Sequence, residues 1–172
     1  GGITSFIDMP NTKPPTISIA EVDRKMDRAR EVSVANYAFF IGATDSNLPE
    51  LARADYSRVA GVKLFMGSST GNMLVSDPAA IDAIFSSVPA IVAVHAEDET
   101  LLRQRRQAVI DRYGENLPID FHPVIRNHDV CFEASRRIVE LARAHRHRLH
   151  LLHVSTAAEL SLLDNCPLAE KL

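Results

Sequence analysis

Three residues of types that bind or activate metal ions lie in separate apolar runs of the sequence: Lys63, His95 and His153. Apolar runs of this kind predict strands. In a parallel (β/α) barrel the carboxyl ends of the strands carry the active site, so the three residues indicate one common site. If His153 points into such a barrel, so does Leu151, whereas His150 points outward towards the helices.

Lys63 has two interpretations. A single lysine in a strand commonly lies at a sheet edge or faces solvent, but this one is surrounded by apolar residues, where an unpaired ammonium is costly to bury. Burial lowers the pKa of a lysine amine, and a neutral amine can take up CO2 to form a carbamate. The carbamate is an anion with two oxygens, which can bridge two divalent cations.

The two histidines extend this interpretation to a metal site. Neutral imidazole suits zinc, and three protein ligands with an open water position are typical of hydrolytic zinc centres. Zinc lowers the pKa of its bound water to about 7 and polarises a carbonyl. The alternative for His153 is a histidine that only packs in the sheet. The set Lys63, His95 and His153 predicts a hydrolytic metal centre.

These residues belong to an alternation of strands and helices. The apolar runs are nearly continuous, as expected for strands covered on both faces of a parallel sheet. The first four runs begin roughly 30 residues apart, the size of one βαβ unit. The predicted strands are Ile3–Asp8, Val34–Gly42, Val59–Met66, Ala90–His95 and Arg148–Val154. The fold class is therefore α/β.

Capping residues predict where the helices begin. Helices are expected directly after Ser18, Asp77, Asp129 and Thr156, and a further helix from Glu99 to Tyr113 is expected to stop at Gly114. The segment 113–129 contains prolines and polar residues, which favours an insertion over a hidden strand.

The composition excludes several classes of protein. The 172 residues carry 19 Lys and Arg against 22 Asp and Glu, a net charge of −3, which argues against a nucleic-acid-binding face. No apolar run approaches the roughly 20 residues of a transmembrane helix, and no secretory signal is visible. Cys131 and Cys166 suit a reducing compartment. We expect a cytoplasmic protein with neither nucleic-acid nor membrane partners.

Four short motifs follow one another along the chain: Gly1–Thr12, Val62–Gly67, Val94–Glu97 and Leu149–Ala157. Together they resemble dihydroorotase, a cyclic amidohydrolase of the metal-dependent amidohydrolase superfamily. The resemblance implies a TIM (β/α)8 barrel, of which this chain would form about strands 2 to 6. A whole barrel takes about 250 residues, and the chain starts without Met. Residues 1–172 are therefore expected to be the central part of the barrel domain, without its first and last strands.

The resemblance also implies roles for the site residues. Lys63 would be the carboxylated lysine that bridges two zinc ions, and His95 and His153 would hold the second, more buried ion. Asn11 would help to bind the substrate carboxylate, since an amide can donate without adding charge; a plain turn residue is the alternative. The implied reaction is the reversible hydrolysis of the ring amide of dihydroorotate, a small molecule, to N-carbamoyl-aspartate in pyrimidine biosynthesis.

Part of the family's site has no counterpart here. The family's His-x-His pair, the Arg that follows it and a later Asp are missing from their places, so the 172 residues alone are expected to hold one zinc and to be inactive. The triplet His145–His147 spells such a pair, but it lies at a predicted helix C-terminus, where cations are favoured, and is interpreted as structural. Missing strands would expose sheet edges, so we expect a homo-oligomer.

Several alternatives stay open. A hydantoinase, dihydropyrimidinase or allantoinase would share the metal scaffold, and a non-catalytic homologue could act as an assembly partner. Glu97 is either a partner for the second nitrogen of His95 or a residue that favours a helix N-terminus. Arg126 is either near the site or in a surface loop. Arg103, Arg105 and Arg106 are expected to form a solvated helix face.

Overall fold

The computed structural model describes residues 2–67 and 73–164. In these residues five strands form one parallel sheet, and their order in space follows their order in the chain. The strands are β1 (Ser5–Asp8), β2 (Asn36–Gly42), β3 (Gly61–Phe65), β4 (Val92–His95) and β5 (Leu149–Leu151). All five predicted strands are confirmed, and each is shorter than predicted.

Helices follow the strands and cover the outer side of the curled sheet. Within the described residues they are α1 (Ile19–Val32), α2 (Leu48–Arg53), α3 (Pro78–Ser87), α4 (Glu99–Tyr113), α5 (His122–Ile125), α6 (His128–Ala144) and α7 (Ala157–Leu160), with a 3-10 turn at Ile119–Phe121. The arrangement is part of a (β/α)8 barrel, as predicted. No described helix has both the length and the apolar character needed to span a bilayer.

The helix starts follow the predicted capping residues with one exception. The predicted caps of α1, α3 and α7 each accept a hydrogen bond from the first turn of their helix; they are Ser18, Asp77 and Thr156. The prediction that Asp129 caps α6 is wrong. Asn127 is the cap and accepts from the backbone N–H of Val130, which places the carboxylate of Asp129 inside the first turn, where the helix dipole favours it.

The segment predicted to be an insertion joins α4 to α6. Gly114 ends α4 with a φ of 84°, a conformation that glycine adopts without strain. The chain then passes through the 3-10 turn and α5 without adding a strand, and β4 pairs directly with β5. The insertion is therefore confirmed, although it contains short helices.

The two faces of β3 are buried for different reasons. Val62 and Leu64 are fully buried and belong to one apolar cluster with Ile84 of α3 and Ile138 of α6. Because side chains alternate along a strand, Lys63 lies on the opposite, inner face. The residues that face the helices stabilise the sheet by apolar packing, and the opposite, inner face is available for a functional site.

Removal of the N-cap of α4 tests this account of helix starts. Asp98 accepts a hydrogen bond from the backbone of Leu101 and another, at 2.5 Å, from Arg137 of α6. We expect Asp98→Ala to lower the free energy of unfolding by about 1–2 kcal/mol. Asp27→Ala, which removes an exposed carboxylate in mid-helix, should change it by less than about 0.5 kcal/mol. Equal effects of the two variants in urea unfolding would contradict the assignment.

Candidate metal centre

Lys63 lies in the middle of β3 with only 2% of its surface exposed. Its Nζ donates a hydrogen bond to the carbonyl oxygen of Leu64 at 2.7 Å and lies 3.6 Å from the ring centroid of Phe65. Burial lowers the pKa of the amine from its ordinary value of 10.5 to about 7. A substantial fraction of the amine is therefore neutral, and nucleophilic, near neutral pH.

Met73 packs against β2 at Gly42, next to the position of Lys63 in the sheet. Gly42 of β2 is the register partner of Lys63, and a Cβ at Gly42 would collide with Cε of Met73. Met73 itself is fully buried. The absence of a side chain at position 42 lets the methionine pack against the strand.

His95 and His153 contact each other directly. Nδ1 of His95 lies 2.9 Å from Nε2 of His153, and the rings meet edge to face with centroids 4.9 Å apart. His95 is the last residue of β4, and its side chain is mostly buried. His153 is exposed and lies two residues beyond the end of β5.

The prediction that the last strand continues to residue 154 is wrong. The N–H of Leu152 still donates to the carbonyl of Val94 at 3.0 Å, but the chain turns at His153, whose φ is +39°. Such a left-handed conformation costs a non-glycine residue on the order of 1–3 kcal/mol. The turn brings the imidazole of His153 towards His95.

Glu97 and Arg126 lie next to this histidine pair. The Oε2 atom of Glu97 accepts hydrogen bonds from Nε2 of His95 and from Nη2 of Arg126, both at 2.9 Å. The carboxylate is largely buried. The interpretation of Glu97 as the partner of His95 is confirmed, and Arg126 lies near the site rather than in a distant surface loop.

The three predicted ligands are brought together to different degrees. Phe65 and His95 are register partners, their rings are 6.1 Å apart, and Nζ of Lys63 lies 3.6 Å from the ring centroid of Phe65. Lys63 is thus on the same inner face as His95, and both lie near the ring of Phe65. Asn11 is exposed three residues after β1, and no described hydrogen bond joins it to any of the three.

The two imidazoles fit a zinc ion. Two nitrogens on one tetrahedral zinc, with bonds of about 2.0–2.1 Å, are about 3.3 Å apart. The observed 2.9 Å needs only a small opening. Across residues 2–67 and 73–164 no group of three or more His, Cys, Asp or Glu side chains is arranged to hold a metal, and among these residues a modified Lys63 is the predicted third ligand.

The other histidine pair has structural partners. Nε2 of His145 lies 2.8 Å from a carboxylate oxygen of Asp82, and Nε2 of His147 lies 2.7 Å from the carbonyl oxygen of Val88. Both histidines precede β5 and lie at the amino edge of the sheet, opposite the site. Their interpretation as structural residues agrees with these contacts.

Comparison with known proteins finds dihydroorotases, hydantoinases and an allantoinase that are similar to this chain. No protein-family model matches it. A dihydroorotase of Thermococcus kodakarensis is 28% identical over 164 residues, covering 95% of this chain and 34% of that protein. An L-hydantoinase of Paenarthrobacter aurescens is 29% identical, with 95% and 36% covered. An allantoinase of Solibacter usitatus is 33% identical, with 91% and 35% covered.

A solved structure agrees with these relatives. An L-hydantoinase (dihydropyrimidinase) from Arthrobacter aurescens is similar with a TM-score of 0.87 and 26% identity over 94% of this chain and 36% of that one. The resemblance that the four motifs indicate is confirmed, as is the partial barrel. The chain spans about a third of the length of the curated relatives it matches.

The buried amine predicts a specific pH dependence of stability in the metal-free protein without CO2. Unfolded Lys63 keeps its proton up to about pH 10.5, whereas the folded amine loses it above about pH 7. The unfolded state therefore binds more protons between these values, and the free energy of unfolding rises with pH across that window.

Lys63→Met should remove this contribution. We expect the variant to be more stable than the wild type below pH 7, by up to about 5 kcal/mol, with a difference that shrinks towards pH 10. Lys25→Met, at a lysine paired with Asp8, serves as the control and should not show this trend. Parallel stability curves of wild type and Lys63→Met from pH 6 to 10 would contradict the prediction.

Proposed function

We propose that this chain is the central part of the barrel of a metal-dependent cyclic amidohydrolase, which reversibly hydrolyses dihydroorotate to N-carbamoyl-aspartate. The observation that carries the proposal is the convergence of His95 Nδ1 and His153 Nε2 on the inner face that also buries Lys63. The names of the curated relatives support a cyclic amide as the substrate. We also propose that the protein is cytoplasmic, forms a homo-oligomer and acts in pyrimidine biosynthesis.

Zinc is the metal we propose for this site. His95 and His153 would hold one ion through their neutral nitrogens, and a carboxylated Lys63 would add an oxygen ligand and bridge to a second ion. Bound zinc supplies a water of lowered pKa and polarises the amide carbonyl. The donor set of imidazoles and one carbamate suits zinc, which takes nitrogen and oxygen ligands in tetrahedral geometry.

The burial of Lys63 supports its proposed carboxylation. The neutral amine forms an N–C bond with CO2 and releases one proton, which leaves a carbamate anion. An ammonium lacks the required lone pair, so an amine with a pKa near 7 is suited to the reaction. A buried anion in turn needs cations nearby. Carboxylation and metal binding are therefore coupled, and each stabilises the other.

Asn11 is proposed to recognise the carboxylate of the substrate. It follows β1 at the carboxyl edge of the sheet, the same edge as His95 and His153, and its side chain is exposed. Its amide N–H can donate to a carboxylate without adding charge. The site would then separate binding, by Asn11, from chemistry at the metal.

A hydantoinase is the second candidate function. The solved L-hydantoinase with a TM-score of 0.87 favours it. The two candidate substrates differ in the group that Asn11 would recognise. Dihydroorotate carries a carboxylate, and hydantoin does not. Allantoin, the substrate class suggested by the third relative, also lacks one.

Zinc binding tests the ligand set. We expect the wild type to bind zinc, and Lys63→Ala and His153→Ala to weaken binding at least about tenfold, or by 1.4 kcal/mol, in a competition titration with a chromophoric chelator. His150→Ala provides a matched control because His150 is exposed and lies in β5. A wild type that binds no zinc, or His150→Ala weakening it as much as His153→Ala, would refute the site.

Substrate preference tests the proposed reaction. In the whole enzyme, kcat/KM for dihydroorotate should exceed that for hydantoin and allantoin. Asn11→Ala should raise KM for dihydroorotate about tenfold, the loss of one charge-assisted hydrogen bond, and leave hydantoin kinetics unchanged. A preference for hydantoin that is indifferent to Asn11→Ala would favour the second candidate.

A further inference from the structure

We infer that Glu97 and Arg126 act as a positioning clamp, which fixes the proton of His95 on Nε2 and keeps its Nδ1 lone pair directed at His153. The clamp is defined by these two residues. Its role towards a metal ion rests on the proposed function, whereas its effect on the His95 proton does not. Neither residue needs to touch a substrate.

The hydrogen bond between Glu97 and His95 determines the tautomer. An ionised carboxylate has only acceptor atoms, so the 2.9 Å contact requires that Nε2 of His95 carries the hydrogen. In a neutral imidazole the other nitrogen, Nδ1, is then bare. Nε2 of His153, at 2.9 Å, donates to it when no metal is bound. The Nδ1 lone pair of His95 therefore already faces His153, the side on which the proposed metal ion would bind.

Arg126 holds the carboxylate of Glu97 in the position from which it accepts. The guanidinium of Arg126 bonds to the same oxygen, Oε2, at 2.9 Å, and a charge-assisted bond of this kind is shorter and stronger than a neutral one. Because the Glu97 side chain is only 10% exposed, a nearby cation also offsets the cost of burying its charge.

The connection between α4 and α6 brings Arg126 to the site. Arg105 of α4 donates through Nε and Nη2 to the carbonyl oxygen of Val124, at 3.1 and 3.0 Å. Arg103 and Arg106 are exposed, as expected, whereas Arg105 is half-buried, and this contact ties α5 to α4. The N–H of Arg126 then donates to the carbonyl of His122 at 2.9 Å, which places its guanidinium after the last turn of α5.

The backbone of Glu97 is held by the neighbouring strand. The N–H of Met66 donates to the carbonyl of His95 at 3.0 Å, so the β3–β4 pairing continues beyond the last residue of β3. A Cβ at Gly67 would lie 2.7 Å from the carbonyl oxygen of Glu97 and 2.8 Å from its Cβ. Only glycine permits this approach. Glu97 is thus fixed by its backbone, and its side chain by Arg126.

The test is the protonation pattern of the His95 ring in metal-free protein. With histidine labelled by 15N, long-range 1H–15N correlation spectra distinguish Nε2–H from Nδ1–H imidazole, and His95→Asn identifies the signals. We expect Nε2–H in the wild type and a mixture in Glu97→Ala and Arg126→Met. Glu97→Gln, whose amide oxygen can still accept, should retain most of the wild-type tautomer. Glu140→Ala, which removes an exposed carboxylate paired with Arg136, should retain it fully.

Zinc affinity supplies the second readout. Loss of an outer partner of a metal-binding histidine typically weakens metal binding about 10–100-fold, and we expect this for Glu97→Ala but not for Glu140→Ala. A folded Glu97→Ala that keeps Nε2–H, with unchanged zinc affinity, overturns the clamp. A wild type with fixed Nε2–H that binds no zinc overturns the proposed function and leaves the clamp. If Glu97→Ala does not fold, the His95 tautomer and the zinc affinity are measured in Glu97→Gln instead.

Discussion

The burial of the Lys63 amine is the constraint on which the inner face of the sheet depends. β3 is covered on both sides, and in the described part of the chain no ion pair with a carboxylate relieves the charge of this lysine. A hydrogen bond to Leu64 and the face of Phe65 are weak substitutes for water. An apolar residue would pack there without penalty. A perturbed amine in such a place is typical of functional sites.

The remaining geometry follows from parallel pairing. Register places Phe65 beside His95, so the lysine and the histidine share one face of the sheet. β5 ends early, and the turn at His153 directs its imidazole towards His95 rather than along the sheet. Strain in that turn and desolvation of the amine are both costs that a bound cation and a carbamate would offset. The stabilities of the fold and of the site are therefore linked.

Local signals allowed much of this arrangement to be predicted. Continuous apolar runs identified all five strands, and the bounds of α4 were predicted as Glu99–Tyr113. Helix α2 was missed because its six residues are too few for a periodic pattern. The turn at His153 and the Asn127 cap depend on backbone geometry that neighbouring residue types do not determine.

Contacts between distant residues could not be predicted in the same way. Glu97 and Arg126 are 29 residues apart, and Arg105 and Val124 are 19 apart. The sequence pattern around Arg105 and Arg126 is equally compatible with a solvated position and with these contacts. The chemistry of His95 suggested that it needs an acceptor, and this was the only signal that pointed to Glu97. Arg126, which orients Glu97, reaches the site only because α5 packs against α4.

The most direct test of the account is a crystal structure of the zinc-loaded protein with anomalous data at the zinc edge. The account predicts a zinc peak about 2.0–2.1 Å from both His95 Nδ1 and His153 Nε2, with density for a carbamate on Nζ of Lys63. A zinc peak elsewhere, for instance at His145 and His147, with His95 and His153 still bonded to each other and an unmodified Lys63, would contradict it.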